Sequence, residues 1–184
     1  KKFLDWTGTN GKVVAFEPFP KAYVALCKEL LSHKYSPHAV LKNTALSNKS
    51  GEAFFSSPTD DDIPTTAHLV DDSSNQNGIK VPVSTADFIV QAGESQPNVV
   101  KIDVEGYEEE VLQGGNTAFS NPNCRHILVE MHFSRMAERK LGNSASRIAA
   151  LLKKWGYTVK WVDASHIHAY RNAVIASISS ATFL

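Results

Sequence analysis

Glu17, Asp103, Glu105, Glu130 and His132 are the residues whose types and positions are suited to chemistry. Each acid stands in or just after a short apolar run. Glu17 follows Val13-Val14-Ala15-Phe16, Asp103 and Glu105 close Val99-Val100-Lys101-Ile102, and Glu130 with His132 closes Ile127-Leu128-Val129. Such runs read as strands of a parallel sheet, and open α/β sheets bind ligands beyond the carboxyl ends of their strands. One acid there is accounted for as a cap or ion-pair partner. Three on one edge each carry a desolvation cost that stability alone does not explain. At its position Glu17 suits accepting hydrogen bonds from the ribose hydroxyls of a nucleotide, and a helix macrodipole accounts for it equally well. A carboxylate or imidazole within about 3 Å of a hydroxyl can take its proton. The same oxygen-rich set suits Mg²⁺, but no spacing demands a metal, and no residue is assigned as a ligand.

The elements that must position these residues follow from periodicity. Lys21 to His33 carries Tyr23, Leu26, Cys27, Leu30 and Leu31 at helical spacing, with Pro20 suited to its first turn. Strands are expected at 39–41, leading into Asn43-Thr44-Ala45-Leu46, and at 51–56 and 79–83, with a short helix over 85–91. Val99 to Val104 is the strongest strand. A helix from about Tyr107 to Gln113 follows it and ends at Gly114-Gly115. Another strand is expected at 126–131, and a helix at 144–155 stopped by Gly156. The last two strands are expected at 157–162 and 173–179, as an antiparallel pair near a sheet edge. Residues 57–78 are polar, include Asp60-Asp61-Asp62, and read as a mobile loop. Strands alternating with helices define a doubly wound α/β sheet, in one domain spanning 1–184.

Composition narrows the partners. Nineteen Lys and Arg balance nineteen Asp and Glu, for no net charge, which argues against nucleic-acid or membrane-surface binding through bulk electrostatics and leaves small molecules. Cys27 and Cys124 are too few for a disulfide framework or a Cys-rich zinc fold and read as buried thiols. No apolar run is long enough to span a bilayer. Cytoplasm is the default compartment, and nothing in the sequence sets an oligomeric state. Glu108-Glu109-Glu110 reads as a helix face favoured by the dipole, and His126, His166 and His168 as structural.

Phe16-Glu17-Pro18-Phe19-Pro20, Lys101 through Glu108 (KIDVEGYE) and Ile127 to Glu130, in this order and spacing, resemble the FkbM family of class I methyltransferases. Asn43 to Ser47, Ser84 to Phe88 and Leu152 to Tyr157 extend the resemblance. It implies a Rossmann-like, mostly parallel sheet with an antiparallel last strand. It also implies methyl transfer from S-adenosylmethionine, with a hydroxyl of a sugar, polyketide or other small molecule as acceptor. Glu17 would hold the ribose, Phe19 would pack against adenine, and Thr44 and Ala45 would lie near the adenine edge. Asp103 would sit at the methionine end, and Glu105, Glu130 and His132 would face the acceptor.

The sequence departs from the family in one respect. The glycine loop D-x-G-x-N-x-G that follows the first strand has no counterpart among these residues, and only glycine allows so close a backbone approach to cofactor. Lys1 to Trp6 then read as the last turns of the helix beyond that loop. The domain is therefore expected to lack its first strand, to be poorly stable in isolation and to bind cofactor weakly. Two other functions compete: an NAD-dependent oxidoreductase of related architecture, which leaves the KIDVEG run and Glu130 unexplained, and a non-catalytic domain that has lost its loop.

Overall fold

The structure, a computed structural model, describes residues 2–56, 68–70 and 78–172. In chain order the elements are α1 (Lys2–Thr7), β1 (Val13–Phe16), α2 (Pro20–Leu31), a 3₁₀ turn (Ser36–His38), β2 (Ala39–Lys42), β3 (Ala45–Leu46) and β4 (Gly51–Ser56). There follow β5 (His68–Val70), β6 (Ile79–Ser84), α3 (Ala86–Gln91), β7 (Val99–Ile102), α4 (Glu108–Gly114) and α5 (Asn116–Ser120). The last are β8 (His126–Glu130), α6 (Phe133–Glu138), α7 (Ser144–Lys154), β9 (Thr158–Trp161) and β10 (His166–Tyr170).

The fold is mixed α/β, with its strands in three hydrogen-bonded sets. β1 pairs with β2 in parallel. β7 and β8 form a second parallel pair, extended by antiparallel β10 and β9 in the order β7-β8-β10-β9. The third set, β3-β6-β4-β5, has β3 parallel to β6, with β4 antiparallel to both β6 and β5. The edge strand β9 pairs with antiparallel β10, His166–Tyr170. Residues 173–179, expected as its partner, lie outside the described residues. So does most of the expected loop over 57–78, but 68–70 form β5 because their backbone completes the β4 edge.

The main core lies between the second sheet and the helices that follow its strands. Alternation along β8 buries Ile127 and Val129 and turns Leu128 outward. These pack with Ile102, Ile167, Val111, Leu112, Ile148 and Leu152, each worth about 1.5–3 kcal/mol when buried. Cys124 is buried here, as expected. Cys27 is only half-buried, because α2 turns that face outward. A smaller core joins Phe19, Ala45, Phe55, Val81, Val83 and Tyr107.

Two of the motif segments, Ser84 to Phe88 and Asn43 to Ser47, turn out to fasten elements together. The Thr85 hydroxyl caps α3 by accepting the Phe88 N–H (3.0 Å). Asp87 accepts the N–H groups of Thr117 (3.0 Å) and Ala118 (2.7 Å), capping α5 from a different element. At Gly114 a Cβ would lie 1.9 Å from the Ser47 carbonyl oxygen, so α4 meets the β3 end at a distance only glycine allows.

Among the described residues β1 pairs on one edge only, and so does β7. Those unpaired edges border one cavity of about 1200 Å³. All four β1 residues are therefore half-buried, although their sequence reads as an interior strand. Glu94 ties the two walls together through Lys42 (3.4 Å) and a second ion pair to Lys12.

Candidate active site

The cavity runs from the end of β1 to the end of β7, lined by Glu17, Phe19, Thr44 and Ala45 at one end and by Asp103 and Glu105 at the other. Glu17 sits in a tight turn. Its Oε1 accepts the Phe19 N–H at 2.8 Å, and its own carbonyl accepts the Asn43 amide at 2.8 Å, with Pro18 O at 3.0 Å from the same nitrogen. Asn43, not singled out in the sequence, thus fixes the path of the chain through Glu17-Pro18. Burial pushes the Glu17 carboxyl above the usual glutamate range, partly offset by the Phe19 N–H. Phe19 is buried against Phe55, with ring centroids 6.0 Å apart, and forms part of the cavity floor. Thr44 is tied to strand β6, its hydroxyl donating to Pro82 O at 3.0 Å.

The other end is a chain of charge across three strand ends. Lys101 donates to Asp103 Oδ2 at 2.6 Å and lies 3.5 Å from Glu130 Oε2. Burial pulls the Lys101 ammonium down, but the Asp103 hydrogen bond and the charges of Asp103 and Glu130 more than offset this and leave it raised. Glu130 also faces His166 Nε2 at 3.4 Å, and His166 is held by Asp163 at 2.9 Å. The Asp163 hydrogen bond holds the His166 imidazole above its ordinary value, against partial desolvation. Asp163 is itself held down to about 2 by the Ser165 N–H and by His166. His166 therefore belongs to this network, whereas His126 and His168 pair with each other at 3.1 Å.

His132 stands at the junction. Its Nε2 lies 3.3 Å from Glu105 Oε1 and 3.6 Å from Asp103 Oδ1. Its Nδ1 donates to Glu108 Oε1 at 2.6 Å, and Glu108 is 0 % exposed. The same Glu108 oxygen accepts the Gly106 N–H at 3.0 Å, while Oε2 is buried without a partner. Glu105 and Gly106 both take positive φ, 52° and 96°. A Cβ at Gly106 would meet Arg135 Cβ at 2.6 Å, so this turn requires glycine. Glu105 accepts the strain of the left-handed region where it faces the cavity, as functional residues often do.

The three glutamates expected to form one helix face favoured by the dipole have three separate partners. Glu108 holds His132. Glu109 pairs with Arg147, with both contacts at 2.7 Å, and accepts the Ser144 hydroxyl at 2.7 Å. Glu110 takes Arg139 at 2.6 Å, whose guanidinium lies over Tyr107, 3.6 Å from the ring centroid. They are drawn inward because α4 packs against α7 and its acids meet His132 and Arg139, the residues that flank α6, rather than water. The Arg147 hydrogen bond holds the Glu109 carboxyl below its usual range, against desolvation.

The sequence-predicted residues therefore fall into two groups. Glu17, Phe19, Thr44, Ala45, Asp103 and Glu105 line the cavity, while Glu130 and His132 border it through Lys101, Asp103 and Glu105. Asp103, Glu105 and His132 also bring one potential ligand atom each to within 4.8 Å of one another. A divalent cation would meet a carboxylate–imidazole set there, with Asp103 Oδ2 already bonded to the Lys101 ammonium.

A Rossmann-like α/β domain with acids at three strand ends is the class that this fold and site define. The model for the "Methyltransferase FkbM domain" matches residues 1–159, and the chain belongs to that family. It is 32 % identical over 125 residues to a hexuronic acid methyltransferase, AglP, of Haloferax volcanii, covering 67 % of this chain and 48 % of that protein. The crystal structure of methyltransferase FkbM from Methylobacillus flagellatus KT shares the fold with a TM-score of 0.59 at 14 % identity, over 92 % of this chain and 40 % of that one. The chain thus spans about half the length of the curated relative it matches. Among the described residues no helix is long and apolar enough to cross a membrane.

Proposed function

We propose that this domain binds S-adenosylmethionine at the mouth of the cavity, across the carboxyl ends of β1 and β7, and directs its methyl group to a hydroxyl of a sugar-like small molecule. The observation that carries this is the cavity itself. It joins a desolvated, lightly hydrogen-bonded carboxylate at Glu17 to a charged cluster at Asp103 and Glu105. Glu17 has free acceptor positions for two ribose hydroxyls, in a setting where water competes poorly. Ala45 and the Phe19 ring give the cavity an apolar floor suited to a flat base. When bound, S-adenosylmethionine supplies an electrophilic methyl carbon on a sulfonium. Asp103 and Glu105 place negative charge near that end of the cavity. Alignment of the acceptor oxygen with the methyl–sulfur axis is the main catalytic contribution. Removal of its proton falls to His132, Glu130, Asp103 or Glu105, the groups that reach the junction. The hexuronic acid named for the haloarchaeal relative supports a sugar acceptor.

The edges of β1 and β7 that are unpaired among the described residues face one cavity, which supports a second part of the proposal: a further parallel strand fills the gap between them behind the cofactor and carries the glycine loop at its end. Titration of S-adenosylhomocysteine and NAD into the full-length protein tests the first part. Selective binding of the former is expected, and preference for NAD would favour an oxidoreductase. Cooperative unfolding with micromolar cofactor binding by the 184-residue chain alone would refute the second.

A further inference from the structure

We infer that Phe133 and Trp161 form an acceptor subsite that takes the apolar face of a pyranose ring. The inference rests on the methyl-transfer function proposed above and deepens it. Strand directions put the ends of β7, β8 and β9 and the start of β10 on one edge of the second sheet. Along that edge the charged chain from Asp103 through Glu130 to His166 runs toward β9. Beyond it stand Phe133, next in sequence to His132, and Trp161, the last residue of β9. Their rings stack at 6.2 Å with 21° between planes.

Both rings are open to solvent, Phe133 46 % and Trp161 43 % exposed. Large apolar side chains this exposed and grouped in one patch mark a contact surface rather than a core. Here the stacked pair lies on the same strand-end edge as His132, Glu130 and His166, and that combination selects a ligand. A pyranose presents axial C–H bonds on one face and hydroxyls around its rim. The C–H bonds pack on the negative face of an aromatic ring. Rim hydroxyls can donate to the Glu130 and Asp163 carboxylates and accept from an N–H of His166. A lipid or peptide helix would use the apolar patch but gain nothing from the acids beside it. A sugar seated on Trp161 and Phe133 would extend its rim toward His132 and Glu130, where the acceptor proton is to be removed.

The test uses the full-length protein with saturating S-adenosylhomocysteine, and glucuronic acid and glucose as probes in saturation-transfer NMR. Saturation should pass to the ring C–H protons of one pyranose face. Trp161→Ala should weaken the sugar about tenfold and Trp161→Phe about threefold or less. Phe133→Ala, read in parallel, guards against a defect peculiar to one variant. Both positions are surface sites, so affinity for S-adenosylhomocysteine should change by less than about twofold. Sugar affinity unchanged in both alanine variants would overturn the subsite while leaving the proposed function intact. So would absence of sugar binding in a protein that binds S-adenosylhomocysteine. A dimer that dissociates on Trp161→Ala would instead assign the patch to a second copy and equally overturn it. Failure to bind S-adenosylhomocysteine at all would count against the proposed function itself.

Discussion

The two ends of the cavity use carboxylates in opposite ways. At the β1 end Glu17 stands alone: its partner is one backbone N–H, and burial raises its pKa. At the β7–β8 end Asp103, Glu105, Glu108 and Glu130 are interlocked with Lys101, Arg135, His132 and His166. An isolated, desolvated acid suits neutral hydroxyl donors, which it binds strongly because little else satisfies it. An interlocked set suits moving or holding charge, since each group is already balanced by neighbours. On the proposed function the difference separates binding from chemistry within one cavity, although the acids that line it, Glu17, Asp103 and Glu105, all follow strand ends.

That contrast can be broken at either end. The largest effect is expected for Glu108→Ala. It leaves His132 Nδ1 and the Gly106 N–H without their acceptor, and denaturant unfolding should show a loss of about 3 kcal/mol. If stability is unchanged, the buried glutamate does not hold the junction. His132→Gln is expected to lower turnover about 100-fold while S-adenosylhomocysteine affinity, measured calorimetrically, moves less than about twofold. A matching loss of affinity would merge the two ends. Glu17→Gln should do the reverse: affinity drops about tenfold, the worth of hydrogen bonds to a charged acceptor, and turnover at saturating cofactor changes less.

Acid should separate the ends further. Burial raises the Glu17 pKa, so its carboxylate is lost as pH falls from a point above the ordinary value of 4.5. Cofactor affinity should therefore weaken before the fold does. Glu109 behaves oppositely. Its pKa is depressed in the folded state, so its contribution is present above 4.5 and disappears as pH falls through the lower folded value. A fold that melts before cofactor affinity declines would contradict this order. The expected effect is small, because the Arg147 side of that pair is open to solvent.

The elements carrying the site were legible because strand ends announce themselves. An apolar run closed by an acid needs no tertiary information, and β1, β7 and β8 each fall within two residues of where periodicity puts them. Glu108 was not legible. Three glutamates opening a helix have the same local signature whether water or another helix covers them, and only the packing of α6 and α7 decides. His166 was hidden for a similar reason, since its partner Glu130 is set by antiparallel register, 36 residues away in sequence. Asn43 acts through its amide on the backbone of a preceding turn, which no spacing encodes. The short strands β3 and β5 owe their existence to edges offered by β6 and β4 rather than to their own patterns.

The most direct measurement is calorimetric titration of S-adenosylhomocysteine into the full-length protein and its Glu17→Gln variant, with NAD in parallel. A dissociation constant of about 1–100 μM for the wild type, about tenfold weaker in the variant, and no NAD binding is the predicted result. Equal affinity in the two proteins would remove Glu17 from the cofactor site, and tighter binding of NAD would contradict the methyltransferase function altogether.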